Sequence, residues 1–134
     1  MPQDRGTAGE LLAGVEAFLR TDVLPQLTGG SVYKCRVAAN ILSIVQRELA
    51  LADSADQNER RRLEALLRTV PDPELPSAAA LDQLNAELCR NIRSGALDDH
   101  RAAVFVHVKQ TVQDKLRIAN PRYPGLLESL AREG

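Results

Sequence analysis

The chain has 134 residues, with 17 Lys and Arg, 18 Asp and Glu, and a net charge of −1. This length predicts one domain over residues 1–134, large enough to bury a core without disulfide or metal staples. The near-neutral charge, the two Phe, the two Tyr and the absence of Trp argue against nucleic-acid binding, which needs a basic surface and aromatic rings for base stacking.

The cysteines and histidines do not point to a metal site. Cys35 and Cys89 stand alone within helical patterns, and their spacing with His100 and His107 matches no zinc motif. We therefore expect reduced, packed thiols, two partly exposed histidines and no cofactor. No apolar run reaches the roughly 20 residues that span a bilayer, and residues 1–9 lack the pattern of a signal peptide. These features predict a cytoplasmic protein without membrane contact.

Apolar residues recur at helical spacing throughout, and no segment alternates as a half-buried strand does. Thr7 and Glu10 form a capping-box pattern that begins the first predicted helix, after residues 1–8, which we expect to fray. Pro25 lacks an amide donor and should end or kink this helix. Gly29-Gly30 then breaks the chain.

The second predicted helix covers about residues 31–52 and is the longest apolar stretch. Its apolar residues cover more than half of the helix circumference, which is typical of a central helix. These residues are Val37, Ala38, Ile41, Leu42, Ile44, Val45 and Leu49. Ser54 to Gln57 resembles a second capping box, which would open a third helix through Leu67. The run from Glu59 to Arg62 predicts a solvated outer face, rather than a phosphate site, because the chain has no net positive charge.

The remaining chain breaks divide the C-terminal half into shorter helices. Residues 70–76 hold three prolines and predict a loop. Ser77 should cap the fourth helix, and Gly95 should end it. Asp98 should cap the fifth helix, which Asn120-Pro121 stops.

Pro124-Gly125 should open a short last helix, with residues 131–134 frayed. The sequence therefore predicts an all-α fold. Its expected architecture is a single-domain bundle of five to six helices with a central apolar second helix.

Three polar residues fall inside apolar helical faces. Asp22 lies four residues after Phe18, Asn85 four after Leu81, and Lys115 seven residues after Val108. An unpaired buried polar group costs roughly 1–3 kcal/mol, and a buried charge costs more. We therefore expect these side chains to meet each other or a ligand.

The polar residues allow three interpretations. In the first, they form a structural polar core, in which Asp22 pairs with Lys115 or with Arg36. In the second, they line a cleft for an anionic ligand, because Arg offers a bidentate fork and Lys a point charge. The candidate ligand-binding residues are then Arg36, Asn40, Asn85, Lys115 and Arg122, with Asp22 as an internal counter-ion. In the third, a desolvated Lys115 or Asp22 acts in catalysis.

Several segments resemble one protein family across nearly the whole chain. The most specific are RVAAN at residues 36–40 and KLRIANPRY at residues 115–123, and they are joined by ELL at residues 10–12. These segments resemble a bacterial domain-of-unknown-function family of short helical proteins. Its members are often encoded beside acyl-CoA dehydrogenases and aminoglycoside-phosphotransferase-like kinases. The chain lacks the Gly-rich loop, the His-x-Asp segment and the metal-binding Asp motif of such a kinase.

The resemblance implies an accessory role near acyl-CoA or acyl-phosphate chemistry, with no established catalytic residues. The leading hypothesis is a small cytoplasmic binding protein that has a polar interhelical site for an anionic ligand. An acyl-CoA dehydrogenase or a phosphotransferase-like kinase would be its partner. The alternative is a purely structural interaction module, a homo-oligomer or enzyme subunit, that uses the apolar second helix or the face of Leu126, Leu127 and Leu130. A small transferase is the third hypothesis.

Overall fold

The structure is a computed structural model that describes residues 6–134. Every regular element in this part of the chain is helical, which confirms the all-α prediction. The α-helices are α1 (Ala8–Phe18), α2 (Gly30–Leu67), α3 (Ser77–Ser94), α4 (Arg101–Ala119) and α5 (Pro124–Glu133). A π-helical turn covers Leu19–Val23, and 3₁₀ turns cover Leu24–Gln26 and Asp98–His100.

The chain divides into two compact units. The first comprises the described part of Met1–Leu51 together with Ile118–Asn120, and the second comprises Ala52–Arg117 and Pro121–Gly134. The α2 and α4 helices contribute residues to both units. The single domain and the central second helix stay predictions.

The predicted capping box at the start of α1 is confirmed. The Glu10 amide donates to Thr7 Oγ1, and the Thr7 amide donates to Glu10 Oε2, each over 3.2 Å. Two amides that the first helical turn leaves without carbonyl partners are thereby satisfied. Of the residues predicted to fray, 1–5 lie outside the described residues. At the other end, α5 is helical as far as Glu133.

Pro25 ends the first helical segment, as predicted. The chain widens into the π-helical turn Leu19–Val23 and then tightens into the 3₁₀ turn Leu24–Gln26, which contains the proline. Because proline has no amide hydrogen and its ring clashes with the preceding turn, the α-helical ladder cannot continue through it. Gly29 then takes a left-handed φ of 65°, and α2 begins at Gly30.

The predicted break at Ser54 is wrong, because α2 is one continuous helix of 38 residues. The chain has no Gly or Pro from Ser31 to Leu67, and Ser and Asp cost no more than roughly 0.7 kcal/mol each inside a helix. Those weak preferences do not end a helix that its neighbours support. The helix ends instead at Leu67, and the next residue, Arg68, takes a φ of 55° that is uncommon for a residue other than glycine.

Arg60 fixes the predicted loop that follows α2. Its guanidinium donates to the carbonyl of Leu75 over 2.6 Å and to the carbonyl of Asp72 over 2.5 Å, and its Nε donates to Glu64 over 2.6 Å. These bonds attach the loop to α2 through its backbone. The loop therefore has a defined path although its prolines prevent regular structure.

Two of the predicted caps are wrong, and one is confirmed. Pro76, rather than Ser77, occupies the N-cap of α3, and no side chain caps that end. Asp98 begins a 3₁₀ turn, and α4 begins only at Arg101. Gly95 ends α3 as predicted, with a φ of 82° in the left-handed region that favours glycine.

The apolar core lies in the second unit, where α2, α3 and the turn before α4 contribute to it. It consists of Leu63, Ala80, Leu81, Leu84, Leu88 and Leu97, with Leu66, Leu67, Leu75 and Val104 packed against it. In the described part of the first unit Ala39 is the one fully buried apolar residue. None of the described helices combines the length and the apolar character needed to cross a membrane.

The continuous α2 predicts opposite effects for two similar substitutions. Ser54→Ala should raise the free energy of unfolding by roughly 0.5 kcal/mol, because alanine is the better residue inside a helix. Thr7→Ala should lower it by about 1 kcal/mol, because Thr7 is a true helix cap. Urea unfolding followed by far-UV circular dichroism measures both. A loss of stability in Ser54→Ala would show that the helix begins anew there.

Candidate functional site

Three of the six predicted site residues lie in the first unit. Asp22 and Arg36 are exposed. Within the described part of this unit, the Asp22 carboxylate has no hydrogen-bond partner, although the Asp22 backbone carbonyl accepts from Gln26 Nε2 over 2.9 Å. Asn40 is exposed and accepts from Arg20 Nη2 over 2.9 Å. The structure therefore gives Asn40 a partner on the π-helical turn, and leaves the Asp22 carboxylate in solvent.

A small polar network surrounds Arg20 and ties α1 to α2. Glu16 accepts from Arg20 Nε and from Gln46 Nε2, each over 2.8 Å. These two hydrogen bonds hold the pKa of Glu16 below its ordinary value, and the bond from Arg20 has the larger effect. The network is a structural link between the two helices, and Asn40 belongs to it through Arg20.

The other three predicted residues lie in the second unit. Asn85 is half-buried, and its amide donates to Glu59 Oε1 over 3.4 Å. Lys115 and Arg122 are exposed, and neither side chain has a hydrogen-bond or ion-pair partner in the described part of this unit. The role of all six residues in ligand binding stays a prediction.

The prediction that Asp22 and Lys115 are buried is wrong, for a different reason in each case. Asp22 lies in the π-helical turn, where an extra residue per turn shifts the side chains away from α-helical positions. Lys115 shares its face of α4 with Val108 and Val112, which are themselves 43% and 48% exposed. The apolar stripe that was used to place Lys115 inside therefore faces solvent from Val108 onward.

Arg62 is the centre of the polar arrangement that the structure does contain. Its Nε donates to His107 Nδ1 over 3.3 Å, and its Nη2 donates to Thr111 Oγ1 over 3.1 Å. Its Nη1 lies 3.9 Å from Asp114 Oδ2. These three partners recur at spacings of four and seven residues, so they share one face of α4. We call Arg62, His107, Thr111 and Asp114 the Arg62 network.

The prediction of a solvated face from Glu59 to Arg62 is therefore wrong. Glu59 is buried, Arg60 holds the loop and Arg62 contacts α4, so Arg61 is the one exposed residue of the run. These charged side chains face inward because each has a hydrogen-bond partner there. The partner of Glu59 is on α3, that of Arg60 is in the loop and that of Arg62 is on α4. A composition argument based on net charge cannot detect such pairing, because it ignores position.

His107 is buried, whereas the sequence predicted a partly exposed side chain. Burial lowers the pKa of His107, and the positive charge of Arg62 lowers it further, while Glu59 opposes the shift. Because Nδ1 accepts the hydrogen bond from Arg62, the neutral ring carries its proton on Nε2. His100 is exposed, as predicted.

A cleft of about 810 Å³ lies beside the Arg62 network, between α2, the end of α3 and α4. Most of its lining is apolar, and its polar residues are Arg62, Arg68, Asn91, His100, His107 and Gln110. The apolar residues are Ala65, Leu66, Leu67, Ala96, Leu97, Ala102, Ala103 and Val106. This combination of size and lining is typical of small-molecule sites, which occupy about 300–1,000 Å³. Asn85, Lys115 and Arg122 do not line it.

A second cavity of about 450 Å³ adjoins the cleft, and we call it the polar cavity. It is lined by Asn58, Arg61, Arg62, Gln110, Gln113, Asp114, Arg117 and Glu133, so it shares Arg62 and Gln110 with the cleft. Gln113 is buried and donates to Ser129 Oγ over 2.7 Å and to Glu133 over 3.1 Å, which fixes α5 to α4.

The acidic groups of the polar cavity are already paired. Lys109 lies 2.9 Å from Glu133, and its hydrogen bond, followed by that of Gln113, lowers the pKa of the Glu133 carboxyl. Arg117 donates to Asp114 over 2.8 Å. Among residues 6–134 no cluster of three His, Cys, Asp or Glu side chains is arranged to hold a metal ion.

Most of the chain matches a known protein family. Residues 25–123 match the family described as Domain of unknown function (DUF6285). The chain belongs to this family. The DUF6285 region contains the whole cleft and the whole Arg62 network, and it excludes α1 and α5. No curated protein and no solved structure matches the chain.

The residues that sequence reasoning missed did carry a signal. Glu59 lies four residues before Leu63, a core residue, and seven before Leu66, which packs against the core, so it shares their stripe. His107, Thr111 and Asp114 repeat the same spacings on α4.

His107 predicts a pH dependence of stability. Its pKa is lowered in the folded protein, so the unfolded chain takes up the proton first as the pH falls below about 6.5. Its contribution to stability is therefore fully present above that pH and is lost as the pH falls towards the lowered value. The urea midpoint of the wild type should therefore decrease as the pH is lowered from about 7 to about 5.

His107→Gln removes the titrating group and should flatten this decrease. The matched control is His100→Gln, because His100 is exposed and should leave the wild-type pH profile unchanged. Equal pH profiles in His107→Gln and wild type would contradict the assignment.

Proposed function

We propose that the protein is an accessory binding protein of acyl-CoA-linked metabolism, and that it holds an anionic ligand with an apolar group in the cleft. The observation that carries the proposal is the cleft itself, about 810 Å³ of mostly apolar lining with cationic and amide side chains at its edge. An apolar group gains about 25 cal/mol for every Å² of its surface that leaves water. The leucines and alanines of the cleft supply such a surface.

The charges around the cleft favour an anion. Its cations are Arg62 and Arg68, and no acidic side chain lines it. The carboxylate of Asp114 pairs with Arg62 from outside the cleft lining. A ligand carboxylate or phosphate would therefore meet guanidinium donors without facing a like charge.

The acyl-CoA connection rests on the family resemblance. Acyl-CoA dehydrogenases and phosphotransferase-like kinases, the gene neighbours that the resemblance implies, handle acyl thioesters or phosphorylated groups. A ligand that combines an acyl chain with phosphates matches both the apolar lining and the cationic edge. The protein would present or protect such a ligand in the cytoplasm, without a catalytic step of its own.

Calorimetric titration with decanoyl-CoA tests this proposal. We expect saturable binding to the wild type, and Ala103→Leu should weaken it at least tenfold, because the larger side chain enters the cleft. Ala86→Leu is the matched control, since Ala86 is exposed on α3 and does not line the cleft. Equal affinities in the two variants, or no binding to the wild type, would contradict the proposal.

A second candidate function is a protein interaction module, and α1 is the observation that favours it. The helix has no buried residue, and Leu11, Val15 and Phe18 form one face that is 50–61% exposed. Their spacing of four and seven residues places them on a single stripe. A continuous apolar stripe on a soluble helix is a common feature of interaction surfaces.

Sedimentation velocity tests this second candidate. If the α1 stripe joins two copies, the wild type should sediment as a dimer and Val15→Glu as a monomer, because the new charge would be desolvated in the interface. Ala13→Glu is the control, because Ala13 lies on the opposite side of α1 and should leave the dimer intact. A wild type that sediments as a monomer would exclude self-association through this stripe.

A further inference from the structure

We propose that the polar cavity binds a phosphate group of the same ligand whose apolar part occupies the cleft. This inference rests on the proposed function, and it adds the chemical class and the orientation of the ligand. The ligand would be a phosphate-bearing molecule with an attached apolar chain. Its chain would lie against the leucines of α2, and its phosphate would lie beyond Arg62.

The two cavities share Arg62 and Gln110 in their linings, so they lie next to each other. They differ in chemistry, because the cleft is mostly apolar and every residue that lines the polar cavity is polar or charged. A ligand that crosses from one to the other must therefore be amphipathic. Gln110 offers an amide donor where the two linings meet.

Charge pairing leaves the polar cavity with an unsatisfied cation. It is lined by three arginines and two acids, and both acids already have cationic partners. Arg61 is exposed and has no hydrogen-bond or ion-pair partner among the described side chains of its unit. Arg117 uses one hydrogen bond of its five potential donors on Asp114. An anion would therefore find Arg61 and the remaining donors of Arg117 available.

A phosphate suits this donor set better than a carboxylate. A carboxylate has two oxygens, and one guanidinium fork satisfies them. A phosphate monoester has three acceptor oxygens and a charge of about −1.5 to −2 at neutral pH. The polar cavity adds amides from Asn58 and Gln110 to its guanidinium groups, so it can satisfy more acceptors than a carboxylate presents.

Titrations of the full chain with decyl phosphate, decanoate and inorganic phosphate test this assignment. We expect decyl phosphate to bind more tightly than either of the other two probes. Arg61→Gln should weaken decyl phosphate binding roughly tenfold, because one charge-assisted contact is lost, and it should leave decanoate binding unchanged. Arg61→Lys, which keeps the charge, should recover most of the affinity for decyl phosphate.

Arg90→Gln is the matched control, because Arg90 is exposed on α3, lines neither cavity and should change no affinity. Decanoate binding as tightly as decyl phosphate, or an unchanged affinity in Arg61→Gln, would overturn the phosphate assignment and leave the cleft as a ligand site. Failure of the wild type to bind any chain-bearing probe or decanoyl-CoA would overturn both the assignment and the proposed function.

Discussion

The pairing of Arg62 with α4 is the interaction on which the second unit depends. A guanidinium keeps its charge at physiological pH. A partly buried arginine without hydrogen-bond acceptors would therefore destabilise the folded protein. Arg62 finds a ring nitrogen at His107, a hydroxyl at Thr111 and a carboxylate at Asp114. These contacts fix the rotation of α4 relative to the end of α2. The cleft lies between those same helices, so its shape follows from the pairing.

The sequence predicted the helices better than it predicted which faces are buried. Capping and breaking residues are local, so Thr7, Pro25 and Gly95 could be interpreted without knowledge of the neighbouring helices. The break predicted at Ser54 is wrong because a capping pattern stabilises only the end of a helix, and here the surrounding sequence continues the helix. Local signals of that kind require a competing breaker before they end a helix.

The candidate site failed for a different reason, because burial is decided by tertiary contacts. Lys115 lies three turns after Val104 on one stripe of α4, and Val104 packs against the core, whereas Val108 and Val112 are exposed. Asn85 was placed correctly on an inward side of α3, although its partner is Glu59. Spacing alone identifies a stripe, and it cannot show how far along the helix the stripe stays covered by its neighbours.

Arg68 carries a consequence for attempts to engineer this protein. A left-handed backbone costs a residue with a β-carbon roughly 1–2 kcal/mol compared with glycine, so glycine would suit the end of α2 better. The same arginine supplies a positive charge to the lining of the cleft. A search for thermostable variants would therefore tend to select glycine at this position and, in doing so, remove a cation from the candidate ligand site. Heat resistance and anion affinity would then be traded against each other at a single residue.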